Sequence, residues 1–221
     1  LIKNCAKQCN LNATFMAKPF TAEAGNGMHA HLSITDKKDN NLFETDSNKQ
    51  PQGLFAHAIA GLLSATPDFM SFYAAHANSY RRLAPSSNHA PTTLSWGNEN
   101  RTALIRLPEA SKNATRLEFR AASADANPYL VFASILASVL DGITNKLELN
   151  AETIGNAHKQ HPATLSTSWR EANERTKEST MVKEYFGEQF QKVYHHIKES
   201  EIQRFESTIT DFEYHSYLKS L

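Results

Sequence analysis

Two short segments of this chain, residues 27–34 and 115–123, alternate strictly between apolar and polar side chains. Their polar positions are His29, His31, Ser33, Arg116, Glu118 and Arg120. Since successive side chains of a strand point to opposite faces, each segment is predicted to be a strand with one apolar and one polar face. This pattern constrains the fold strongly, because the apolar face of such a sheet has to pack against a core.

The rest of the sequence predicts both helices and strands. Residues 13–20 and the two runs around the turn at 98–100 have strand composition, whereas residues 77–91 are rich in Asn, Ser and Pro and are predicted to be a loop. A helix over 53–76 is expected to break at Pro67. We expect a second helix over 127–143 to be buried, since it is apolar on most sides.

From about residue 166 the chain is strongly polar, and its spacing of apolar residues predicts helices. Strands therefore come first, followed by a helix, more strands and finally helices. This order predicts an α+β fold rather than alternating βαβ units.

Composition excludes several classes of protein. The 221 residues contain 23 Lys and Arg against 23 Asp and Glu, and this balance argues against a nucleic-acid binder. No apolar run is long enough to predict a membrane span. Cys5 and Cys9 have no later cysteine partners, so we expect free thiols in a reducing compartment and a cytoplasmic location.

The polar face of residues 115–123 allows two interpretations. Arg116, Glu118 and Arg120 could form a solvent-exposed ladder of charges. Alternatively, they could face a highly charged ligand, where Glu118 binds a cation and the arginines hold anionic oxygens. Arginine suits the second role because its planar guanidinium matches carboxylate and phosphate groups.

Other arginines are weaker candidates on their own. Arg101 and Arg106 would lie on opposite faces of a regular strand, so both reach one site only if a bulge or bend intervenes. Arg81 and Arg82 fall in the predicted loop without acidic neighbours. Such arginines are either simply solvated or are presented to a ligand by the scaffold.

The two histidines of residues 27–34 follow a glycine-rich turn. His29 and His31 could be structural, or they could bind a metal or phosphate. Zinc normally needs three or four nitrogen or sulfur ligands, and carboxylate is the only obvious co-ligand type here. This combination favours Mg2+ or Mn2+ bound beside phosphates. Gly25 and Gly27 would allow a small ligand to approach the backbone closely.

Taken in order, five motifs resemble the glutamine synthetase family. They are KPF…GNGMHAHLS, NSYRRLAP, WGNENRTALIRLP, RLEFR and ANPYLVFASILASVLDGI, within residues 13–146. The resemblance implies a catalytic core over 1–150, with an antiparallel sheet and flanking helices, and a C-terminal helical segment of the same domain over 151–221. It also implies that the family's N-terminal domain, and most of its metal-binding glutamates, would precede residue 1.

The activity implied by the resemblance is that of an ATP-dependent ligase. ATP phosphorylates the γ-carboxylate of glutamate, and an amine then displaces phosphate to form an amide. The resemblance assigns a metal, Mg2+ or Mn2+, to His29 and Glu118, and ATP contacts to His31, Ser33, Arg106 and Arg116. It assigns glutamate contacts to Gly25, Arg82, Arg101 and Arg120, and catalytic roles to Arg101 and Arg106. His89, in a loop that departs from the family pattern, is a further catalytic candidate.

Two departures from ammonia-using members bear on the amine substrate. Ala24 stands where those members carry Asn, and the loop containing Asn88 and His89 lacks their glutamate, which helps to bind ammonium. The sequence therefore favours a larger amine over ammonia. Ordinary glutamine synthesis and a non-catalytic relative remain the alternatives. We also expect a homo-oligomeric ring for the full-length protein and no activity for this chain alone.

Overall fold

The computed structural model describes residues 1–84 and 90–218. Six strands are present in this part of the chain: β1 (Ala30–Leu32), β2 (Glu44–Thr45), β3 (Pro51–Gln52), β4 (Trp96–Asn98), β5 (Ile105–Leu107) and β6 (Leu117–Phe119). The helices are α1 (Ile2–Gln8), α2 (Gly53–Ala65), α3 (Met70–Tyr73), α4 (Ala77–Arg82), α5 (Pro128–Thr144), α6 (Ala157–Gln160), α7 (Trp169–Glu178), α8 (Thr180–Phe186), α9 (Glu188–Glu206) and α10 (Asp211–Tyr217).

The main sheet has the strand order β1-β6-β5-β4, and both alternating segments lie within it. β1 pairs with β6 antiparallel, with Ala30 opposite Phe119. β5 pairs with β6 antiparallel, with Ile105 opposite Phe119. Leu117 is fully buried, as are Ile105 and Phe119. A strand is therefore confirmed within each predicted segment, although β1 and β6 cover only three residues each. The α+β fold class is also confirmed, and the apolar face of the sheet covers the core.

β4 and β5 pair in parallel, with Trp96 opposite Ile105. Parallel strands normally need a crossover of a dozen or more residues, but only residues 99–104 connect these two. The pairing covers three residues, and Glu99 turns the chain in the left-handed region at φ 50°. The backbone nitrogen of Glu99 then donates to the Leu107 carbonyl oxygen at 3.0 Å, which fixes the turn against β5.

Helices α2 and α5 cross in close contact beside the sheet. A Cβ atom on Gly61 would collide with the Ser138 carbonyl oxygen, and one on Gly142 would collide with the His57 carbonyl oxygen. Glycine is required at both positions, since the two backbones touch there. α2 ends at Ala65, and a 3₁₀ turn over Thr66–Phe69 follows, so the predicted break at Pro67 is confirmed.

Three local predictions were wrong. Residues 13–20 form no strand, because the Lys18 backbone bonds the Asn78 side chain through both its nitrogen (2.7 Å) and its oxygen (3.0 Å). The segment predicted as a loop over 77–91 begins with helix α4. The apolar helix α5 is not buried all round, since part of one face is exposed, at Tyr129, Phe132, Leu136 and Leu140.

The polar C-terminal third is helical, as predicted. Phe186, Phe190 and Tyr194 of α8 and α9 pack their rings around Phe72 of α3. No helix among the described residues is long and apolar enough to cross a membrane. Cys5 and Cys9 are free and exposed, as expected.

Candidate active site

The Glu118 carboxylate lies at the centre of a charged cluster on the main sheet. Arg120 donates from Nη1 to its Oε1 at 2.6 Å, and Arg106 donates from Nη1 to its Oε2 at 2.7 Å. His29 Nδ1 lies 3.0 Å from Oε1. The Glu118 side chain is only 3% exposed, so the segment is not a solvent-exposed ladder.

Sheet register brings these residues together. Arg106 lies directly opposite Glu118 across the β5–β6 pair, and His31 lies opposite Glu118 across β1–β6. Residues facing each other in a sheet have side chains close enough to interact. Arg120 follows Glu118 by two positions, which places both side chains on one face.

A second group of contacts lies at the edge of this cluster. Arg116 donates from Nε to His31 Nδ1 at 3.3 Å, and its Nη1 donates to the Ala114 carbonyl oxygen at 3.1 Å. His31 Nε2 is 4.0 Å from Glu118 Oε2. Both His31 and His29 are partly exposed, at 45% and 39% of their side chains, so a ligand can reach these two imidazoles.

Arg82 of α4 enters the site from the side of the glycine-rich turn. Its Nε donates to Ser123 Oγ at 3.3 Å, and its Nη2 donates to the Ala121 carbonyl oxygen. A Cβ atom on Gly25 would lie 2.8 Å from Arg82 Cγ and 2.6 Å from the Ala17 carbonyl oxygen. The absence of a side chain at Gly25 therefore lets the turn close directly over Arg82.

The electrostatics of the cluster favour an ionised carboxylate. Burial acts to raise the pKa of Glu118, but hydrogen bonds from Arg120 and Arg106 outweigh it, so the pKa lies below its usual value. Burial lowers the pKa of His29, and the positive charge of Arg120 lowers it further, against the opposing effect of Glu118. His29 is therefore held neutral, which is the form that binds a metal.

Burial also acts on the arginine from α4. It lowers the pKa of Arg82 to about 10, opposed by the negative charge of Asp125 and reinforced by Arg120. The group stays charged at neutral pH. An anionic oxygen placed beside this desolvated guanidinium would be bound strongly.

His29 and Glu118 have the donor types of a Mg2+ or Mn2+ site but supply only two ligands. Among the residues that the structure describes, no group of three or more His, Cys, Asp or Glu side chains could hold a metal. Mg2+ commonly takes one or two protein carboxylates together with waters and substrate phosphates. The two residues therefore fit part of such a site.

The structure does not bring every candidate residue into the cluster. Ser33 lies beyond the end of β1 and is exposed. The Arg101 side chain is exposed in the turn before β5, and its carbonyl oxygen accepts a hydrogen bond from Arg120 Nη2 at 2.9 Å. This turn, rather than a strand, separates Arg101 from Arg106. His89 lies outside the described residues.

Two contacts of the site were missed by sequence reasoning. Ser123 holds Arg82, as described above, and Glu99 accepts a hydrogen bond from Arg106 Nη2 at 2.7 Å. Glu99 is the one acidic residue of the motif WGNENRTALIRLP, and that composition was the available signal. Its pairing depends on the turn after β4, which no sequence period predicts.

Comparison with known proteins decides the family. The family model for "Glutamine synthetase, catalytic domain" matches residues 1–217. The chain belongs to the glutamine synthetase family. The resemblance drawn from the motifs is thereby confirmed, and the match extends past them into the C-terminal helices.

Relatives in this family differ in the activity that their names state. Gamma-glutamylputrescine synthetase of Escherichia coli K12 is 37% identical over 220 residues, which are 100% of this chain and 46% of that protein. Gamma-glutamylethanolamide synthetase of Streptomyces coelicolor is 36% identical over 96% of this chain and 45% of that protein. A glutamine synthetase of Methanococcus voltae is 33% identical over 99% of this chain and 50% of that protein. The chain thus spans about half the length of the curated relatives it matches.

Proposed function

We propose that the full-length protein is an ATP-dependent ligase that phosphorylates the γ-carboxylate of glutamate and transfers the γ-glutamyl group to an amine. The observation that carries this proposal is the buried Glu118 carboxylate, which contacts Arg106, Arg120 and His29 at once. A merely structural sheet gains little from such a cluster, because buried charges are costly to desolvate.

The arginines match the demands of phosphoryl transfer. That reaction needs little covalent help from the protein and depends on positive charge placed around the transferred group. We assign Arg106 and Arg116, with His31 and Ser33, to the ATP phosphates and nucleotide. Arg101, from the turn beside Arg120, completes the positive charge around the phosphoryl group.

Glutamate is assigned to the other side of Glu118. Arg82 and Arg120 would hold the carboxylates of glutamate. Because Gly25 has no side chain, glutamate can approach the backbone of the turn beside Arg82. A divalent metal at His29 and Glu118, when bound, would neutralise phosphate charge. The protein itself orients the two substrates and keeps the His29 imidazole neutral.

For the amine, we propose a substrate larger than ammonia. Ala24 is exposed beside Gly25, and its methyl side chain offers no polar group to a substrate there. Residues 84–91 include no acidic residue, although positions 85–89 lie outside the described part. Two relatives are named for products of larger amines, putrescine and ethanolamine, which supports the same direction.

The experiment is a coupled phosphate-release assay on the full-length protein with ATP and glutamate. Ammonium, putrescine and ethanolamine are compared, and each product is identified by mass spectrometry. We expect a higher kcat/KM for one of the larger amines. A preference for ammonium would leave glutamine synthesis as the function, the activity named for the Methanococcus voltae relative. A lack of phosphate release with any amine would favour the non-catalytic alternative.

We further propose that the full-length protein forms a homo-oligomeric ring and that residues 1–221 alone are inactive. The two metal ligands present support the second point, because a working site needs more of them than His29 and Glu118. Sedimentation of the full-length protein tests the first point. Amide formation by residues 1–221 alone would refute the second.

A further inference from the structure

Glu99 occupies a backbone conformation that is uncommon for its residue type. It follows the last residue of β4 and has a φ of 50°, in the left-handed region that favours glycine. Nevertheless, a large charged side chain stands there. The turn could be made by Gly or Asn without this cost, so the side chain itself needs an explanation.

Both carboxylate oxygens of Glu99 are engaged. Oε2 accepts a hydrogen bond from Arg106 Nη2 at 2.7 Å, and Oε1 accepts one from the Glu109 backbone nitrogen. The Glu99 backbone nitrogen in turn donates a hydrogen bond to the Leu107 carbonyl oxygen. Glu99 is therefore fixed, through both its side chain and its backbone, to β5 and to the residues that directly follow this strand.

Arg106 consequently lies between two carboxylates of different character. Glu118 holds Nη1 from within the cluster and is 3% exposed, whereas Glu99 holds Nη2 and is 50% exposed. Arg106 Nε is buried and has no hydrogen-bond partner among the described residues. The orientation of the guanidinium thus depends on its two terminal nitrogens, and Glu99 controls one of them.

The Glu118 carboxylate is shared between Arg106 and other partners. It already contacts Arg120 and His29, and the proposed function also requires it for a divalent cation. Any shift of Glu118 toward a cation weakens its hold on Arg106. The exposed carboxylate of Glu99 remains as the second anchor in that case.

We propose that Glu99 is a positioning residue, which holds the Arg106 guanidinium toward the open side of the cluster where the phosphoryl group is transferred. This inference rests on the proposed function and adds to it a residue that the resemblance does not assign. Glu99 acts through Arg106 and does not itself need to touch a substrate.

The experiment is a double-mutant cycle in the full-length protein with Glu99→Gln and Arg106→Lys. Glutamine cannot accept a hydrogen bond at both of its terminal atoms, so it loses one of the two contacts. We expect E99Q to lower kcat by roughly ten- to hundred-fold, the size of effect that misplacing a reacting group produces. The KM for glutamate should change by less than about two-fold, since Arg106 is not among its contacts.

The cycle separates positioning from an independent effect. If Glu99 acts through Arg106, the double variant will be no slower than R106K alone, because the losses share one cause. Glu109→Gln is the matched control: it removes a neighbouring carboxylate that pairs with Lys49, and it keeps the backbone nitrogen that Glu99 needs. E109Q should retain wild-type kcat. Multiplicative losses, or a kcat for E99Q within two-fold of wild type, would overturn the inference.

Failure of the proposed function would be seen separately. It would appear as a wild-type protein that forms no γ-glutamyl amide. The positioning role of Glu99 would then be tested by crystal structures of wild type and E99Q, which do not depend on an activity assay. Displacement of the Arg106 guanidinium in E99Q supports positioning, and an unchanged guanidinium contradicts it.

Discussion

Glu118 of β6 and Arg120, which directly follows this strand, lie two positions apart and form a salt bridge with an N–O distance of 2.6 Å. The side chains are 3% and 6% exposed, so the pair is almost completely desolvated. A pair of this kind persists only when further hydrogen bonds satisfy its remaining atoms. Arg106 supplies a second hydrogen bond at Glu118, and His29 Nδ1 lies 3.0 Å from the same carboxylate, so these contacts link sheet stability to the site.

Removing the charge of Glu118 should therefore affect both stability and activity. Glu118→Gln leaves the buried Arg120 without its counter-ion, and we expect a loss of about 3 kcal/mol in the free energy of unfolding. Under the proposed function, amide formation should fall at least about hundred-fold, since the charges assigned to the transferred phosphoryl group are disturbed. Melting temperature and phosphate release of the full-length protein measure these effects. Glu44→Gln, at an exposed strand position, is the control and should change neither.

A methyl group at Gly25 should displace Arg82. The added Cβ would lie 2.8 Å from Arg82 Cγ and 2.6 Å from the Ala17 carbonyl oxygen, and the Ala17 backbone cannot shift at low cost. Gly25→Ala is expected to raise the KM for glutamate by roughly ten-fold or more and to leave the KM for ATP nearly unchanged. In Gly27→Ala the new contacts are with side-chain atoms of Arg82 and His29 at 3.2 Å and beyond. That variant should be milder, and equal effects of both would exclude the backbone clash as the cause.

Ala24 offers a test of the proposed glutamate site, because the resemblance places an Asn at this position in ammonia-using members. Ala24→Asn places an amide beside Gly25, and one added hydrogen bond should lower the KM for glutamate by about two- to ten-fold. Steady-state kinetics at saturating ATP and amine measure this change. Ala22→Asn places the same group two residues away on the exposed turn and should have no effect. An unchanged KM in A24N would show that Ala24 has no influence on glutamate binding.

His158 should make the protein sensitive to mild acid. Its Nδ1 lies 3.0 Å from Thr92 Oγ1, and burial lowers its pKa below the ordinary value of 6.5. The folded protein therefore binds this proton less readily than the unfolded chain does. Stability from the neutral imidazole is complete above pH 6.5 and is lost as the pH falls through the unfolded and then the folded pKa.

The corresponding measurement is the change in melting temperature of the full-length protein between about pH 7.5 and pH 5, an interval that brackets the titration of histidine. His158→Gln cannot titrate, so its melting temperature should fall less over this interval than that of wild type. His215→Gln, on the exposed helix α10, is the control and should follow wild type. An equal fall in H158Q and wild type would exclude His158 as the source.

Local sequence patterns determined much of the fold and of the site. The period-2 alternation over residues 28–34 and around Glu118 predicted two strands with their buried faces, because strand geometry alone sets that period. Pro67 predicted the end of α2 for a similarly local reason, the missing backbone hydrogen bond. The ordered motifs predicted the family, and most candidate residues meet around Glu118.

Other features were decided only by tertiary structure. Residues 13–20 have strand composition, but their backbone groups bond the Asn78 side chain from a distant part of the chain. The turn at Glu99 and the parallel pairing of β4 with β5 likewise depend on which strand lies next to which. The periodicity of a sequence shows which side chains share a face of a helix or strand, but it does not show which other elements lie next to that face. For that reason the sequence by itself left open whether Glu118 faces solvent or a charged ligand. Only the folded chain showed that Glu118 is buried against Arg106, Arg120 and His29, and that Glu99 pairs with Arg106.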